Sequence, residues 1–257
     1  MITPHHILTS AVTALALAVS SLAQAAANPS DNIILGADFP NGQETYTEAI
    51  NPLGNSVTFT TGSSIQKLQK KTMGGYTGVG LTGGRSGDEI EIGESLKGSF
   101  AKAVRLTSFS LIALFDGPEY GDVNEIAQIT ASLFGGGSLV GQLKAVGQNS
   151  AIWTVGGFSL AASSVTALYQ SPSFSASAVY GSSGAWRVSN PFGNASITSL
   201  DFTAVTGTCG QGACNNQSDY ALRSIEVAAP VPEPETYALM AAGLFAVGFM
   251  ARRRRAD

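Results

Sequence analysis

Short segments in which apolar and polar residues alternate constrain the fold of this chain more than any other feature. They occur at 56–60, 89–92, 195–202 and 220–227, and a longer apolar stretch, 104–115, begins with the same alternation. Alternation rich in β-branched and aromatic residues is typical of antiparallel strands with one buried face. Segment 160–169 fits a strand and a short helix equally well. We therefore expect an all-β fold, a single antiparallel β-sandwich of the jelly-roll kind.

The first 25 residues predict a secretory signal peptide. An uncharged stretch rich in Ala and Leu, 7–22, ends in Ala23-Gln24-Ala25, the small-x-small pattern of a cleavage site. The segment before it contains no Lys or Arg, which departs from the usual pattern. A retained anchor or a buried helix is the alternative. The stretch is shorter than the roughly 20 residues that span a bilayer, which favours cleavage after Ala25.

The last 28 residues have three parts in a fixed order. Val231-Pro232-Glu233-Pro234 is followed by an uncharged stretch, 237–251, and then by Arg252-Arg253-Arg254-Arg255. Prolines hold the backbone extended, in a form that a protease can bind. The uncharged stretch suits a single short transmembrane helix, and arginine clusters stay on the cytoplasmic side of a membrane. The body of the chain would then lie outside the inner membrane.

This arrangement resembles the PEP-CTERM sorting signal of Gram-negative bacteria. The resemblance implies an exosortase-like transpeptidase as a partner, for which Val231, Pro232, Glu233 and Pro234 would be recognition residues without a catalytic role in this chain. It also implies export, a transient stay in the inner membrane, and a final place at the cell surface or outside the cell. The family is associated with exopolysaccharide and biofilms. An ordinary membrane anchor with a proline-rich stalk is the alternative.

These ends divide the chain into a signal peptide (1–25), a β-sandwich ectodomain (26–229) and a sorting signal (230–257). The ectodomain has ten basic and fifteen acidic residues, so no nucleic-acid partner is expected. Both histidines, His5 and His6, lie in the predicted signal peptide. The mature protein would therefore contain neither a histidine-dependent catalytic triad nor a histidine metal site.

The two cysteines, Cys209 and Cys214, are predicted to form a disulfide that closes a small loop before the last strand. Disulfides persist outside the cytoplasm, and Gly210 and Gly212 allow the loop to close. A redox-active pair is the alternative, but the spacing is not Cys-x-x-Cys.

Four carboxylates within ten residues are the candidate metal ligands: Asp116, Glu119, Asp122 and Glu125. Their glycine-bearing loop offers hard oxygen ligands for a structural Ca²⁺ ion. The spacing is not that of an EF-hand, and a solvated acidic turn is the favoured interpretation. No other cofactor is expected.

Two further segments are interpreted as solvent-facing. The carboxylates of Asp88, Glu89, Glu91 and Glu94 alternate with isoleucines and are predicted to form the wet face of a strand. The glycine-rich segment 73–87 lacks the Lys-Ser or Lys-Thr of a phosphate-binding loop and is predicted to be a surface loop.

The sequence favours a non-enzymatic protein with a structural or adhesive role, linked to extracellular polysaccharide. Trp186 is either a core residue, the favoured interpretation, or a glycan contact through its flat ring. The same two interpretations apply to Trp153, Tyr76, Tyr120, Tyr169 and Tyr180. A carbohydrate-active enzyme that uses a carboxylate pair is one alternative function, although no motif selects the pair. A carbohydrate-binding module is the other.

Overall fold

The computed structural model of the protein describes residues 32–117, 121–147, 149–160, 162–168, 184–209, 214, 216–231, 240, 242–245 and 247. The predicted signal peptide lies outside these residues. The strands among them are β1 (Ile33–Leu35), β2 (Thr45–Ile50), β3 (Asn55–Thr61), β4 (Leu68–Met73), β5 (Tyr76–Leu81), β6 (Leu96–Ile112), β7 (Asn124–Leu133), β8 (Ser138–Gly147), β9 (Ser150–Val155), β10 (Ser164–Ala167), β11 (Trp186–Ser189), β12 (Ile197–Thr208) and β13 (Ala221–Ala228). Single 3-10 turns lie at Gly36–Asp38 and Asn51–Leu53.

The long strand β6 joins two hydrogen-bonded groups of strands. Its first half pairs with β3 and β12, and its second half pairs with β13 and β11. The first group therefore runs β2-β3-β6-β12-β7-β8-β9, and the second runs β4-β5-β13-β6-β11-β10, with β1 also paired to β13. Every ladder in both groups is antiparallel. The all-β prediction is thus confirmed, while the jelly-roll sandwich stays a prediction.

One hydrophobic cluster draws side chains from both groups. Phe59 and Phe202 come from the first group, and Phe109 and Leu222 come from the second. Buried and partly exposed residues alternate along β3 and along most of β7, which gives each strand one apolar face. Residues Ser108–Ile112 of β6 are buried on both faces, in agreement with the continuous apolar run in the sequence. The core therefore depends on the side-chain alternation that predicted the strands.

Three of the predicted strands are confirmed at 56–60, 195–202 and 220–227 by β3, β12 and β13, with shifts of a few residues at the ends. Residues 104–112 of the apolar stretch 104–115 form the second half of β6. In the ambiguous segment 160–169, residues 164–167 form the strand β10.

The interpretation is wrong for part of segment 73–87 and for segment 89–92. Residues 76–81 of the glycine-rich segment are the strand β5, which forms a hairpin with β4, while residues 82–87 form a largely exposed loop, as predicted. Segment 89–92 is not a strand, because Glu89 and Ile92 form isolated bridges only. It passes directly over β5, where a Cβ on Gly80 would lie 2.3 Å from the carbonyl oxygen of Asp88. Glycine is therefore required at position 80 for this close approach.

Trp186 lies in the core, as the favoured interpretation predicts, and the alternative of a glycan contact is wrong. The side chain is 1% exposed, and its indole N–H donates a hydrogen bond to the carbonyl oxygen of Leu114 at 2.8 Å. The indole of Trp153 is also buried and donates to Pro191 O at 2.8 Å. Neither ring offers a face to a sugar. Tyr76 is buried as well, while Tyr120, Tyr169 and Tyr180 lie outside the described residues.

Replacing Trp186 by alanine is expected to reduce the free energy of unfolding by about 3–5 kcal/mol, because it leaves a large cavity. The matched control is Phe158→Ala, since Phe158 is 78% exposed and its loss should change stability by less than about 0.5 kcal/mol. Urea unfolding followed by far-UV circular dichroism measures both. Equal effects of the two substitutions would contradict the core assignment.

Candidate functional site

The predicted disulfide between Cys209 and Cys214 is confirmed. Its two Cα atoms are 5.8 Å apart, and the bond closes a loop directly after β12. The chain then passes through residues 216–220 into β13. The disulfide therefore links the end of β12 directly to the segment just before the polar residues 216–219.

The predicted calcium ligands occupy different environments. Glu125 is fully buried, and its carboxyl group accepts hydrogen bonds from the backbone N–H of Phe115 and of Asp219. Asp122 is 3% exposed, and Asp116 is half-buried. The interpretation as a solvated turn is therefore wrong for Glu125 and Asp122.

The calcium site itself stays a prediction. Glu119 lies outside the described residues. Among the residues that the structure does describe, no group of three or more His, Cys, Asp or Glu side chains is arranged to hold a metal ion.

Asp219 completes a cluster of buried acids that the sequence did not reveal. We call Glu89, Asp122, Glu125 and Asp219 the carboxyl cluster. Burial raises the pKa of Asp219 to about 7, and the charges of Glu89 and Asp122 add to the rise. Burial also raises the pKa of Glu125 well above its usual range, reinforced by Asp219 and Asp122. The cluster therefore holds protons at pH values where exposed carboxyl groups are ionised.

Lys71 neutralises one edge of the carboxyl cluster. Its ammonium nitrogen lies 3.0 Å from Asp88 Oδ1 and 3.2 Å from Glu89 Oε1. Burial acts against the charge of Lys71, but the two carboxylates raise its pKa overall. Burial raises the pKa of Glu89, and the charge of Lys71 opposes that rise. The hairpin of β4 and β5 is thereby tied to the segment that crosses it.

The predicted wet face at 88–94 is wrong for two of its four carboxylates, because Glu89 is 6% exposed and Glu94 is 7% exposed. The Oε1 atom of Glu94 accepts from Gln66 Nε2 at 2.9 Å and from the backbone N–H of Gly84 at 3.2 Å. Burial acts to raise the pKa of Glu91, but hydrogen bonds from the backbone of residues 85–87 lower it overall. These carboxylates therefore brace the loop after β5.

A pocket of about 290 Å³ lies beside the carboxyl cluster. One wall is formed by Arg85, Glu91 and Ile92 from the loop after β5, and the other by residues 216–219 before β13. Within the second wall, the Asn216 amide donates to Asp219 Oδ2 at 3.2 Å. The pocket thus combines an acid of raised pKa with amide, guanidinium and apolar groups.

A second feature is a row of hydroxyl groups across the outer face of the first group of strands. Paired positions on six neighbouring strands, β2-β3-β6-β12-β7-β8, form what we call the hydroxyl row: Thr47, Thr58, Ser99, Ser199, Ser132 and Ser138. All of these residues except Ser199 are at least partly exposed. The Oγ1 atoms of Thr47 and Thr58 are 2.9 Å apart. At about 4.8 Å per strand, the row extends over roughly 24 Å.

The sheet beneath the hydroxyl row packs its inner side against the core. The residues that alternate with the row in β3 and β12, Val57, Phe59 and Leu200, are fully buried. The parallel row of paired residues two positions away consists of Thr45, Thr60, Lys97, Asp201, Thr130 and Val140. The face is therefore polar and carries few charges.

The described chain continues past β13 only briefly before the predicted sorting motif. Strand β13 ends at Ala228, and Val231 is 48% exposed. Pro232, Glu233, Pro234 and Arg252-Arg253-Arg254-Arg255 lie outside the described residues. Described residues between 240 and 247 are helical, but no helix in the described part of the chain is long and apolar enough to cross a membrane. The transmembrane helix stays a prediction.

A family model described as the PEP-CTERM protein-sorting motif matches residues 230–255. The chain carries a PEP-CTERM sorting signal. This signal makes the protein a target of exosortase-type sorting and directs it to the cell envelope or surface. No curated protein and no solved structure matches the chain.

The sequence contains part of the information needed to predict the hydroxyl row and the carboxyl cluster. The alternating hydroxyls of β2, β3 and β7 are visible in the sequence as Thr45-Tyr46-Thr47, Thr58-Phe59-Thr60 and Thr130-Ala131-Ser132. Their alignment into one row depends on the order of the strands in the sheet, which the sequence patterns do not predict. No sequence pattern marks Asp219 as a buried acid, because its environment includes Glu89 and Glu125, which are distant in sequence.

The carboxyl cluster predicts that the folded protein loses stability as the pH rises. The pKa of Asp219 is higher in the folded chain than the usual value of 3.8, so its protonated form stabilises the fold fully below about pH 4. That contribution disappears as the pH rises through about 7. Its loss amounts to roughly 1.4 kcal/mol per pH unit for one proton.

Thermal unfolding between pH 4 and pH 8 measures this dependence. Asp219→Asn should flatten it, since an amide does not titrate. Glu44→Gln is the control, because Glu44 is exposed and outside the cluster, and it should leave the dependence unchanged. An unchanged slope in Asp219→Asn would contradict the assignment.

Proposed function

We propose that the protein is a structural or adhesive component of the cell surface or extracellular matrix, and that it binds extracellular polysaccharide through the hydroxyl row. The observation that carries this proposal is the alignment of six hydroxyl residues on six adjacent strands. The PEP-CTERM signal supports it by directing the protein to the envelope, where such polymers occur. The ectodomain would be a β-sandwich, and the protein would act without catalysis.

The chemistry of the row suits a long neutral polymer of hydroxyl groups. Each Ser or Thr hydroxyl both donates and accepts hydrogen bonds, as does each sugar hydroxyl. Single bonds of this kind add little net free energy in water, because bonds to water are lost. Many equivalent contacts along one chain raise the overall affinity through effective concentration. We therefore expect weak binding of single sugars and stronger binding of polymers.

The carbohydrate-active enzyme remains the second candidate, and one observation favours it. Asp219 and Glu91 line the same pocket, with the pKa of the first raised and that of the second lowered. Carboxyl groups whose pKa values are separated in this way serve as acid and base in glycosidases. Glu91, however, already accepts hydrogen bonds from the backbone N–H and the Oγ of Ser86. Its role as a loop brace makes a binding function the better proposal.

Removing hydroxyls from the row should weaken polymer binding without unfolding the protein. The variant Thr58→Val, Ser99→Ala and Ser132→Ala keeps side-chain shape nearly unchanged, and we expect at least a tenfold loss of affinity. The assay is co-sedimentation with insoluble cellulose and with the polysaccharide secreted by the producing cells.

The matched control is Thr72→Val with Thr77→Val. These two residues form an equivalent cross-strand pair, with Oγ1 atoms 3.0 Å apart, on β4 and β5 of the second group. The control should bind as the original protein does. Equal polymer binding by the original protein, the row variant and the control variant would contradict the role of the hydroxyl row. Release of soluble sugars from the polymer would favour the enzyme.

Deleting 231–257 is expected to release a folded, soluble body from cells, because β13 ends at Ala228 and every strand is retained. The control deletion begins at Arg223, within β13. It removes most of a strand that lies between β5 and β6, so it should abolish folding. Fractionation of cells and limited proteolysis distinguish the two. Aggregation of the protein that lacks only 231–257 would contradict the boundary near residue 230.

A further inference from the structure

We propose that the pocket between the loop after β5 and residues 216–219 binds a small ligand that carries a primary ammonium group beside hydroxyl groups, the chemistry of an amino-sugar residue with a free amine. This inference goes beyond the proposed function, because it uses neither the hydroxyl row nor a polymer.

The pocket has polar groups on both walls and one apolar residue. Asn216 and Gln217 offer amide groups, and Asp219 offers a carboxyl group. Ile92, which is partly exposed, offers an apolar surface suited to the C–H face of a sugar ring. The volume of about 290 Å³ is just below the usual range for ligand pockets, roughly 300–1,000 Å³. One ring therefore fits the pocket better than a chain does.

The charge around the pocket favours a cation. Two carboxyl groups, Glu91 and Asp219, line it, and Asp122, Glu125 and Glu89 lie behind Asp219 as electrostatic neighbours. Lys71 is engaged by Asp88 and Glu89 at the far edge of this group. Arg85 is the cation that lines the pocket itself. Acids outnumber bases here, so a positive group gains electrostatic free energy by entering as these acids release their protons.

An unsatisfied acceptor points to the same kind of ligand. Asp122 is 3% exposed, and its Oδ1 atom has no hydrogen-bond donor among the residues that the structure describes. Its hydrogen-bond partner Asn216 and its charge partner Arg85 both line the pocket, whereas Asp122 itself does not. A buried acceptor without a donor is destabilising, and a cation bound beside Asn216 would stabilise the charge of Asp122.

An ammonium group matches this environment better than a metal ion or an anion does. It carries three donors and no acceptor. The described carboxylates do not converge in the way that a metal ion requires. The raised pKa of Asp219 agrees with the choice, since burial and the nearby acids both disfavour its negative charge, which a bound cation would stabilise.

The pocket lies beside the first residues of β13, and the chain leaves the last residue of that strand toward the sorting signal. Asp219 comes just before the first residue of β13, and the signal follows its last residue. Eight residues at about 3.3 Å each separate these ends by roughly 25 Å. The pocket is thus separated by the length of β13 from the residue at which the chain leaves the sheet.

Isothermal titration of the protein purified from the producing cells tests the proposal with glucosamine, glucose and methylamine as probes at pH 6.5. Glucosamine should bind at least tenfold more tightly than glucose, which lacks the ammonium group, and than methylamine, which lacks the hydroxyls. Equal binding of glucose and glucosamine would overturn the proposal, as would equal binding of methylamine or no binding at all. Polymer binding to the hydroxyl row is measured separately, so either proposal can fail alone.

Two variants give effects of opposite sign. Asp219→Asn should weaken glucosamine binding at least tenfold. Arg85→Gln should strengthen it several-fold, because it removes a cation from the pocket wall, and Arg85 is exposed, so the variant should fold. Glu44→Gln, an exposed change in another part of the chain, should have no effect. Weaker binding in Arg85→Gln would overturn the proposal even if Asp219→Asn failed to fold.

Discussion

The architecture depends on one strand that belongs to two sets of hydrogen bonds. The first half of β6 pairs with β3 and β12, and the second half pairs with β13 and β11. Because both groups share this strand, their apolar faces are brought to one cluster that includes Phe59 and Phe109. Many of these contacts join residues that are far apart in sequence, so the core forms only when the whole body is assembled.

The same assembly explains why acids are tolerated inside the protein. Glu125 at the start of β7 meets Asp219 before β13, and Lys71 of β4 meets Glu89. An isolated buried charge would be very costly, so the group retains protons or pairs with Lys71. Stability and electrostatic potential are therefore coupled at this end of the fold. A site of this kind is destabilising by itself, and such strain is common where a ligand binds.

Local patterns predicted what local physics determines. Alternation identified β3, β12 and β13, the cysteine spacing identified the disulfide, and the C-terminal motif identified the sorting signal. The failures came from contacts between distant segments. Glu89 is an acid in an alternating segment, yet the close passage over Gly80 buries it. From the sequence, Trp186 could be assigned to the core only because large aromatic residues are usually buried. Which face of β11 is covered depends on the order of the strands in the sheet.

The short connection after β13 has a consequence for processing. Three residues, 229–231, separate the last residue of β13 from Pro232. A fully extended connection of that length spans about 10 Å. Any enzyme that binds the proline motif must therefore work in contact with the folded body. The shape of that end of the sheet limits how the enzyme can approach. The relative timing of folding and cleavage thus becomes a physical variable, because an unfolded β13 would give the enzyme a much longer tether.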